Sequence, residues 1–333
     1  MKGFSTEKLN SSRSILSLIV VLLVAVFSVN LALADDAMLF AVFYIVTAAA
    51  SAYLVKGKSH ILALTASFLG WAAALMLTKS AMYALISVSY LPFSLTIPHI
   101  GKNKLTRSGA IGIGAACVTG GTVAVLLYVT YLRIETISLS AVRVAFPLFF
   151  KQISEILYDS FYVSVAGTEV SLIAESNVVG YLNVIICLIP AAISALMTLV
   201  GYIIAWLYKK LVEITATADI DESSWALVPS PITAIVFIIA IVTLMIFEKV
   251  DLISLTALNM FVILLPVILL TGLLTSLTPK VTNGIPRPRL LRPLTLIISV
   301  CNGVVPFASL CIFYGLFDSF RASLSKRKPK NQE

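Results

Sequence analysis

The chain has 333 residues, of which 59% are apolar and 12% charged, with a net charge of +8 and a mean hydropathy of +1.01. A water-soluble domain carries about 25% charged residues because its surface must face water, and 24 Lys and Arg with 16 Asp and Glu fall well short of that. Lipid is therefore the solvent for much of this chain, which excludes a soluble enzyme, a secreted disulfide scaffold and a disordered regulator.

A crossing helix needs about 20 apolar residues, with every backbone group bonded inside the segment. Uncharged runs of that order lie at 14–34, 37–55, 61–78, 80–98, 108–132, 176–208, 223–247, 252–279 and 293–317. The first ends in Ala32-Leu33-Ala34, a small-x-small pattern like a signal-peptidase site. The apolar run from Ile15 exceeds the length of about 7–15 residues usual for a signal peptide's apolar region, so a retained first helix is expected.

The 61–98 block is interrupted only by Lys79, and reads either as two crossings or as one crossing and a shallow hairpin. Lys79 itself either marks a substrate or anion site at depth or snorkels to an interface at a turn. The next run contains "GAIGIGAACVTGG" (109–121). Gly112, Ala116 and Gly120 repeat there at four-residue spacing, a small-xxx-small face predicted to pack against a helix, by default one of the same chain.

Between 133 and 175 the pattern changes. Phe146, Phe149, Phe150, Ile153, Ile156, Leu157 and Phe161 recur every three or four residues, while Lys151, Glu155 and Asp159 step by four on another face. This spacing predicts one amphipathic helix, either interfacial or covering a cavity. The 176–208 run would be about 50 Å long as a straight helix, so it is expected to project beyond the bilayer or to bend near Gly180 or Pro190. The 208–225 loop mixes Lys209 and Lys210 with Glu213, Asp219, Asp221 and Glu222 and reads as solvated. The division expected is a bundle over 1–132, the amphipathic, extracytoplasmic segment 133–175, a second bundle over 176–322 and a basic tail over 323–333. The fold class is all-α: a polytopic bundle of about 8–10 spans with one amphipathic interfacial helix.

The basic residues cluster between the runs, as at 56–58, 102–107, 209–210, 280–292 and 321–330. Such clusters orient spans and attract anionic headgroups, so they give no sign of a nucleic-acid partner. With the N-terminus inside, nine crossings place 280–292 inside but the tail outside, against the positive-inside bias. Either one run is not a crossing or part of 141–165 is an additional one.

The inventory for chemistry is poor. His60 and His99 are the only histidines, and neither HExxH nor GxSxG occurs. The four cysteines lie in apolar runs without CxxC spacing, as small buried hydrophobes do. No catalytic residue, metal site or cofactor is expected. Asn183, Asn259 and Asn302 punctuate the late runs, with Pro190, Pro266 and Pro306 near them. An amide in lipid must find a hydrogen bond, and a mid-span proline frees a carbonyl. With Lys79 these asparagines are the candidate lining of a small-molecule cavity; helix-to-helix bonding is the alternative for each.

Three stretches together resemble a known family: "CLIPAAISALMTLVGYIIAWLYKKL" (187–211), "DESSWALVPSPITAIVFIIAIV" (221–242) and "IPRPRLLRPLTLIISVCNGVVPFASLCIFYGLFDSFRAS" (285–323). They look like the YybS-like bacterial membrane proteins, the C-terminal half most closely. That family is similar in fold to the substrate-binding S-components of energy-coupling-factor transporters. The resemblance implies a multispanning bundle in the bacterial cytoplasmic membrane, a substrate cavity and a transmembrane coupling subunit as partner. S-components often present Ala-x-x-x-Ala faces to that subunit; here Ala48 with Ala52 and the Gly112 face are the nearest equivalents, and the first run has none. The function expected is a small-molecule binding or transport component with no ATPase of its own, since no P-loop is present. The alternative is a membrane scaffold or regulator that recruits partners or anionic lipid. An intramembrane enzyme working through Lys79, His60 or His99 is a third and weaker reading.

Overall fold

The computed structural model describes residues 37–56, 60–79, 86–101, 105–149, 162–165, 168–171, 175–215, 225, 228–247, 251–277 and 291–326. The run at 14–34, the pattern over 150–161, most of the acidic loop after 215 and the tail beyond 326 lie outside the described residues.

The described chain is an all-α bundle with one small hairpin. Its helices are α1 (Ala37–Lys56), α2 (His60–Thr78), α3 (Leu91–Thr96), α4 (Arg107–Ile134) and α5 (Leu139–Phe149), then α6 (Glu175–Thr215), α7 (Pro231–Ile246), α8 (Leu252–Leu277), α9 (Leu291–Cys301) and α10 (Val304–Lys326). Four helical segments are long and apolar enough to cross a membrane: Arg107–Ile134, Gly180–Ile214, Leu252–Leu277 and Val304–Arg321. Only 17–28% of the apolar windows in these segments is buried inside the protein. Outward side chains such as Leu196, Trp206, Ile239 and Phe313 are instead exposed, as lipid-facing residues are, because hydrocarbon solvates them as well as a core would. This is a membrane protein.

Several runs fold differently from their expected form. The 80–98 run is not one helix: its described part is helical at 86–88, turns at Ser89-Tyr90, and continues as a short helix, α3, and a 3₁₀ turn over Ile97–His99. Pro92 and Pro98 each sit in the first turn of one of these pieces, where a missing N–H is tolerated. The 176–208 run is a single 41-residue helix, α6, with Pro190 inside it. At about 1.5 Å per residue it exceeds the hydrocarbon thickness twofold.

The 293–317 run is two helices. Asn302 and Gly303 separate α9 from α10, and Gly303 has φ +111°, which L side chains rarely adopt. The amphipathic segment is not helical throughout either. After α5, strands β1 (Tyr162–Val165) and β2 (Thr168–Ser171) pair antiparallel, from Tyr162 opposite Ser171 to Val165 opposite Thr168. β-Branched Val163, Val165, Thr168 and Val170 favour a pleated strand.

The chain divides into two compact units. One comprises 1–118, 195–235 and 264–333; the other comprises 119–194 and 236–263. The helices α4, α6, α7 and α8 each contribute residues to both.

In the first unit, the core forms around α3. Tyr90, Phe93 and Ile97 are fully buried, and the small face Ala48, Ala49 and Ala52 of α1 is buried with them. The hydroxyl of Ser94 donates to the Ala48 carbonyl oxygen at 3.1 Å. Ser67 on α2 and the Tyr90 hydroxyl lie 2.8 Å apart, and the Tyr44 hydroxyl donates to the Ser89 carbonyl oxygen at 3.1 Å. Phe93 reaches two glycines: a Cβ on Gly114 would stand 2.6 Å from its ring and one on Gly201 2.7 Å. In the second unit, Ala141 and Ala145 form a buried face of α5, and Phe237 stacks on Phe261 at 5.3 Å between centroids.

Candidate functional site

The most polar buried constellation lies in the first unit, where α8, α9 and α10 meet. The reversal at Asn302-Gly303 brings the start of α9 beside the latter half of α10. Arg292 Nη1 donates to Asp318 Oδ2 at 3.0 Å and to Oδ1 at 3.3 Å, and Nη2 to Oδ1 at 3.3 Å. The Asp318 side chain is 1% exposed and that of Arg292 11%. Thr275 on α8 donates to Asp318 Oδ2 at 2.6 Å. The Arg292 guanidinium carbon also lies 4.6 Å from the Tyr314 ring centroid and 5.7 Å from that of Phe317. Asp318 is thus held by a cation and a hydroxyl, and Arg292 by a carboxylate and two rings. A charge pair this far from water needs such partners, since desolvation otherwise outweighs the Coulomb attraction.

Two glycines let α8 and α10 approach at backbone distance. A Cβ on Gly272 would collide with the Cys311 carbonyl oxygen, and one on Gly315 with the Ile268 carbonyl oxygen. Without that approach Thr275 would not reach Asp318.

Towards the Asn302-Gly303 reversal, α9 and α10 border an open hollow of about 620 Å³. Thr295, Ile298, Ser299, Asn302, Pro306 and Leu310 line it. The Thr295 hydroxyl is hydrogen-bonded to the Arg292 carbonyl oxygen at 2.9 Å and lies 2.9 Å from the Tyr314 hydroxyl. Thr295 therefore belongs both to the wall of the hollow and to the network around Arg292. Ser299 is 8% exposed, and its hydroxyl has no hydrogen-bond partner. A largely apolar hollow with a few placed hydroxyls and an amide suits a small amphipathic molecule.

Of the expected lining residues, Asn302 and Pro306 stand at this hollow. Asn302 Nδ2 donates to the Ile298 carbonyl oxygen at 2.8 Å, and Asn259 Nδ2 to Leu255 at 2.9 Å, each on its own helix. Asn183 Oδ1 is buried without a partner. Asn302 belongs to the first compact unit, Asn183 and Asn259 to the second. Lys79 is exposed just past the end of α2, with φ +52° and its N–H bonded to the Leu75 carbonyl oxygen. It occupies the left-handed position that closes a helix, the turn that lets a lysine reach an interface.

The small face at Gly112, Ala116 and Gly120 lies open. All three residues are exposed, and a Cβ on Gly112 or Gly120 would meet nothing within 4 Å. Among the described residues, Gly114, Gly201, Gly272 and Gly315 have a neighbour closer than 3 Å to where a Cβ would stand. Spacing along one helix identifies a stripe of small residues, but the position of the second helix decides which stripe is used. Of the two histidines, His99 is exposed, with Nδ1 2.8 Å from the Leu95 carbonyl oxygen. Among the described residues no three His, Cys, Asp or Glu side chains cluster as metal ligands do.

The sequence reading missed Arg292, Asp318 and Thr275. Arg292 ends the basic cluster at 280–292, Asp318 follows an uncharged run, and their separation of 26 residues follows no helical period. The signal that finds them is Asn-Gly, a turn dipeptide, at the middle of an apolar run. Folding the run there sets 292 against 318.

No protein-family model, curated protein or solved structure matches the chain.

Proposed function

We propose that the protein is a small-molecule binding or transport component of a cell membrane, with the hollow between α9 and α10 as its ligand site. The observation that carries this reading is Thr295, whose hydroxyl couples the wall of the hollow to Tyr314 and the backbone of Arg292. A ligand that displaces the Thr295–Tyr314 hydrogen bond acts on the ring against which Arg292 rests. The site is thereby linked to the ion pair that ties α9 to α10. Broken helices that place polar groups inside an apolar layer are a recurrent construction of transporters.

The same reversal bears on orientation. Arg321 follows Asp318 by one turn, so it stands at the same end of the hairpin as Arg292. Arg292 and Arg321 then share one side, as the positive-inside bias favours. The YybS-like resemblance adds the bacterial cytoplasmic membrane and a transmembrane coupling subunit to this reading.

Native mass spectrometry of the full chain, extracted mildly from its membrane, tests it. A bound small molecule is expected, together with its loss in Ser299→Leu, whose larger apolar side chain intrudes on the hollow. A chain that carries no ligand and no coupling subunit, or a ligand indifferent to Ser299→Leu, overturns the reading.

A further inference from the structure

The opening turn of α4 holds a cation whose partners are incomplete. Arg107 is 9% exposed. Its Nη2 donates to the Tyr202 carbonyl oxygen at 3.1 Å, and its guanidinium carbon lies 5.3 Å from the Tyr202 ring centroid and 6.0 Å from that of Trp225. Its Nε is buried and has no hydrogen-bond partner. The ion pairs among the described residues join Lys209 and Lys210 to Glu213 and Arg292 to Asp318, and none includes Arg107. A buried charge left short of partners is costly. The helix N-terminus on which it sits adds positive potential of its own, so this corner of the fold favours an anion.

The surroundings indicate its chemistry. The 28 residues of α4 extend about 42 Å, close to the thickness of a bilayer counted with its headgroups. A crossing of that length brings its ends to the level of the headgroups, which is where the first residue of α4 would stand. Tyr208 stacks on Trp225 at 6.0 Å between centroids, and Lys209 and Lys210 follow it on α6. Aromatic and basic side chains together are the composition of a membrane interface on its positive side. Lys102 and Lys104 precede Arg107 in the chain. With Nη2 on the Tyr202 carbonyl oxygen, Nε is the buried N–H left without an acceptor, and a phosphate oxygen accepts from arginine.

We propose that Arg107, with the first turn of α4 and the Tyr202 and Trp225 rings, binds a phosphate-bearing anion at the membrane interface. The site is separate from the α9–α10 hollow and does not depend on it.

The test is a titration of the detergent-solubilised full chain, following its melting temperature, with dioctanoyl-phosphatidylglycerol, dioctanoyl-phosphatidylcholine or inorganic phosphate. Phosphatidylglycerol is expected to raise the melting temperature saturably, with half-saturation weakened about tenfold or more in Arg107→Gln. Arg133→Gln, at the exposed far end of α4, should leave it unchanged. A shift produced by inorganic phosphate and lost in Arg107→Gln assigns the anion to free phosphate and upholds the site. Should Arg107→Gln fail to fold, Arg107→Lys keeps the charge but lacks the Nε donor, and should weaken half-saturation several-fold. Equal responses to the two lipids without a response to phosphate, or equal half-saturation in the wild type and the Arg107 variant, overturn the proposal.

Discussion

Arg292 and Asp318 form a two-nitrogen ion pair across the α9–α10 reversal, closest at 3.0 Å and nearly sealed from solvent. Because each charge is desolvated, the pair is costly to break one side at a time. Asp318→Leu or Arg292→Leu alone should destabilise the protein by about 3–5 kcal/mol, whereas the double variant should recover most of that loss. Melting temperatures of the three variants in one detergent check this. A double loss equal to the sum of the two single losses would mean that the pair has no coupling to measure.

The crossing of α8 and α10 gives a sharper steric expectation. Gly272→Ala and Gly315→Ala each press a methyl onto a backbone carbonyl of the other helix. Each should cost about 1–3 kcal/mol or more, since backbone cannot step aside as a side chain can. Gly112→Ala, in open space on α4, should be neutral or slightly stabilising through helix propensity. Thermal melts of the three substitutions separate the used glycine contact from the unused stripe.

Phe93 anchors the first unit. It is fully buried and its ring fills the space left by Gly114 and Gly201. Phe93→Ala should destabilise by about 3–5 kcal/mol, through lost burial and the cavity left behind. Protease susceptibility measured across a temperature series reads this effect.

The start of α8 carries a pH-dependent cap. Ser254 N–H donates to Asp251 Oδ1 at 2.7 Å, and Asp251 N–H donates to Ser254 Oγ at 3.0 Å. The Ser254 backbone hydrogen bond holds the Asp251 carboxyl below its ordinary value. A carboxylate depressed on folding stabilises the protein above its unfolded pKa, near the usual 3.9. That contribution fades as pH falls through the lower folded value. Asp251→Asn should therefore flatten the acid limb of the melting-temperature profile while leaving the Ser254 half of the cap. An unchanged limb between about pH 5 and 2 would show that the cap does not titrate there.

Much of the fold is legible because a lipid solvent constrains composition strongly. Uncharged length alone marks the spans that became α4 and α8, and it marks α6 as too long for one upright crossing. What it does not mark is a reversal inside an apolar run. The 293–317 run passes every test for one crossing, yet Gly303 and Asn302 fold it into a hairpin. The β1–β2 hairpin was missed for a related reason: a helical period through the preceding residues hid four β-branched residues.

The candidate site was legible only at its edge. Asn302 and Pro306 were chosen as polar or backbone-freeing residues in lipid, and both stand at the hollow. Arg292, Thr275 and Asp318 belong to three different helices, and nothing in their local spacing joins them. The same holds for glycine. Gly112, Ala116 and Gly120 form the more regular pattern, but Gly272 and Gly315 make the close approach.

Sequence by itself determined the solvent, the helical class and the places where charge can lie, because these depend on residue type averaged over a span. Tertiary structure alone decided which charges are neutralised by a partner and which are not. Arg292 meets Asp318, while Arg107 meets only rings and a carbonyl, and both outcomes rest on which helices approach within a few ångströms. That distance depends on glycines and reversals in segments far apart in the chain, and no period along one helix encodes it.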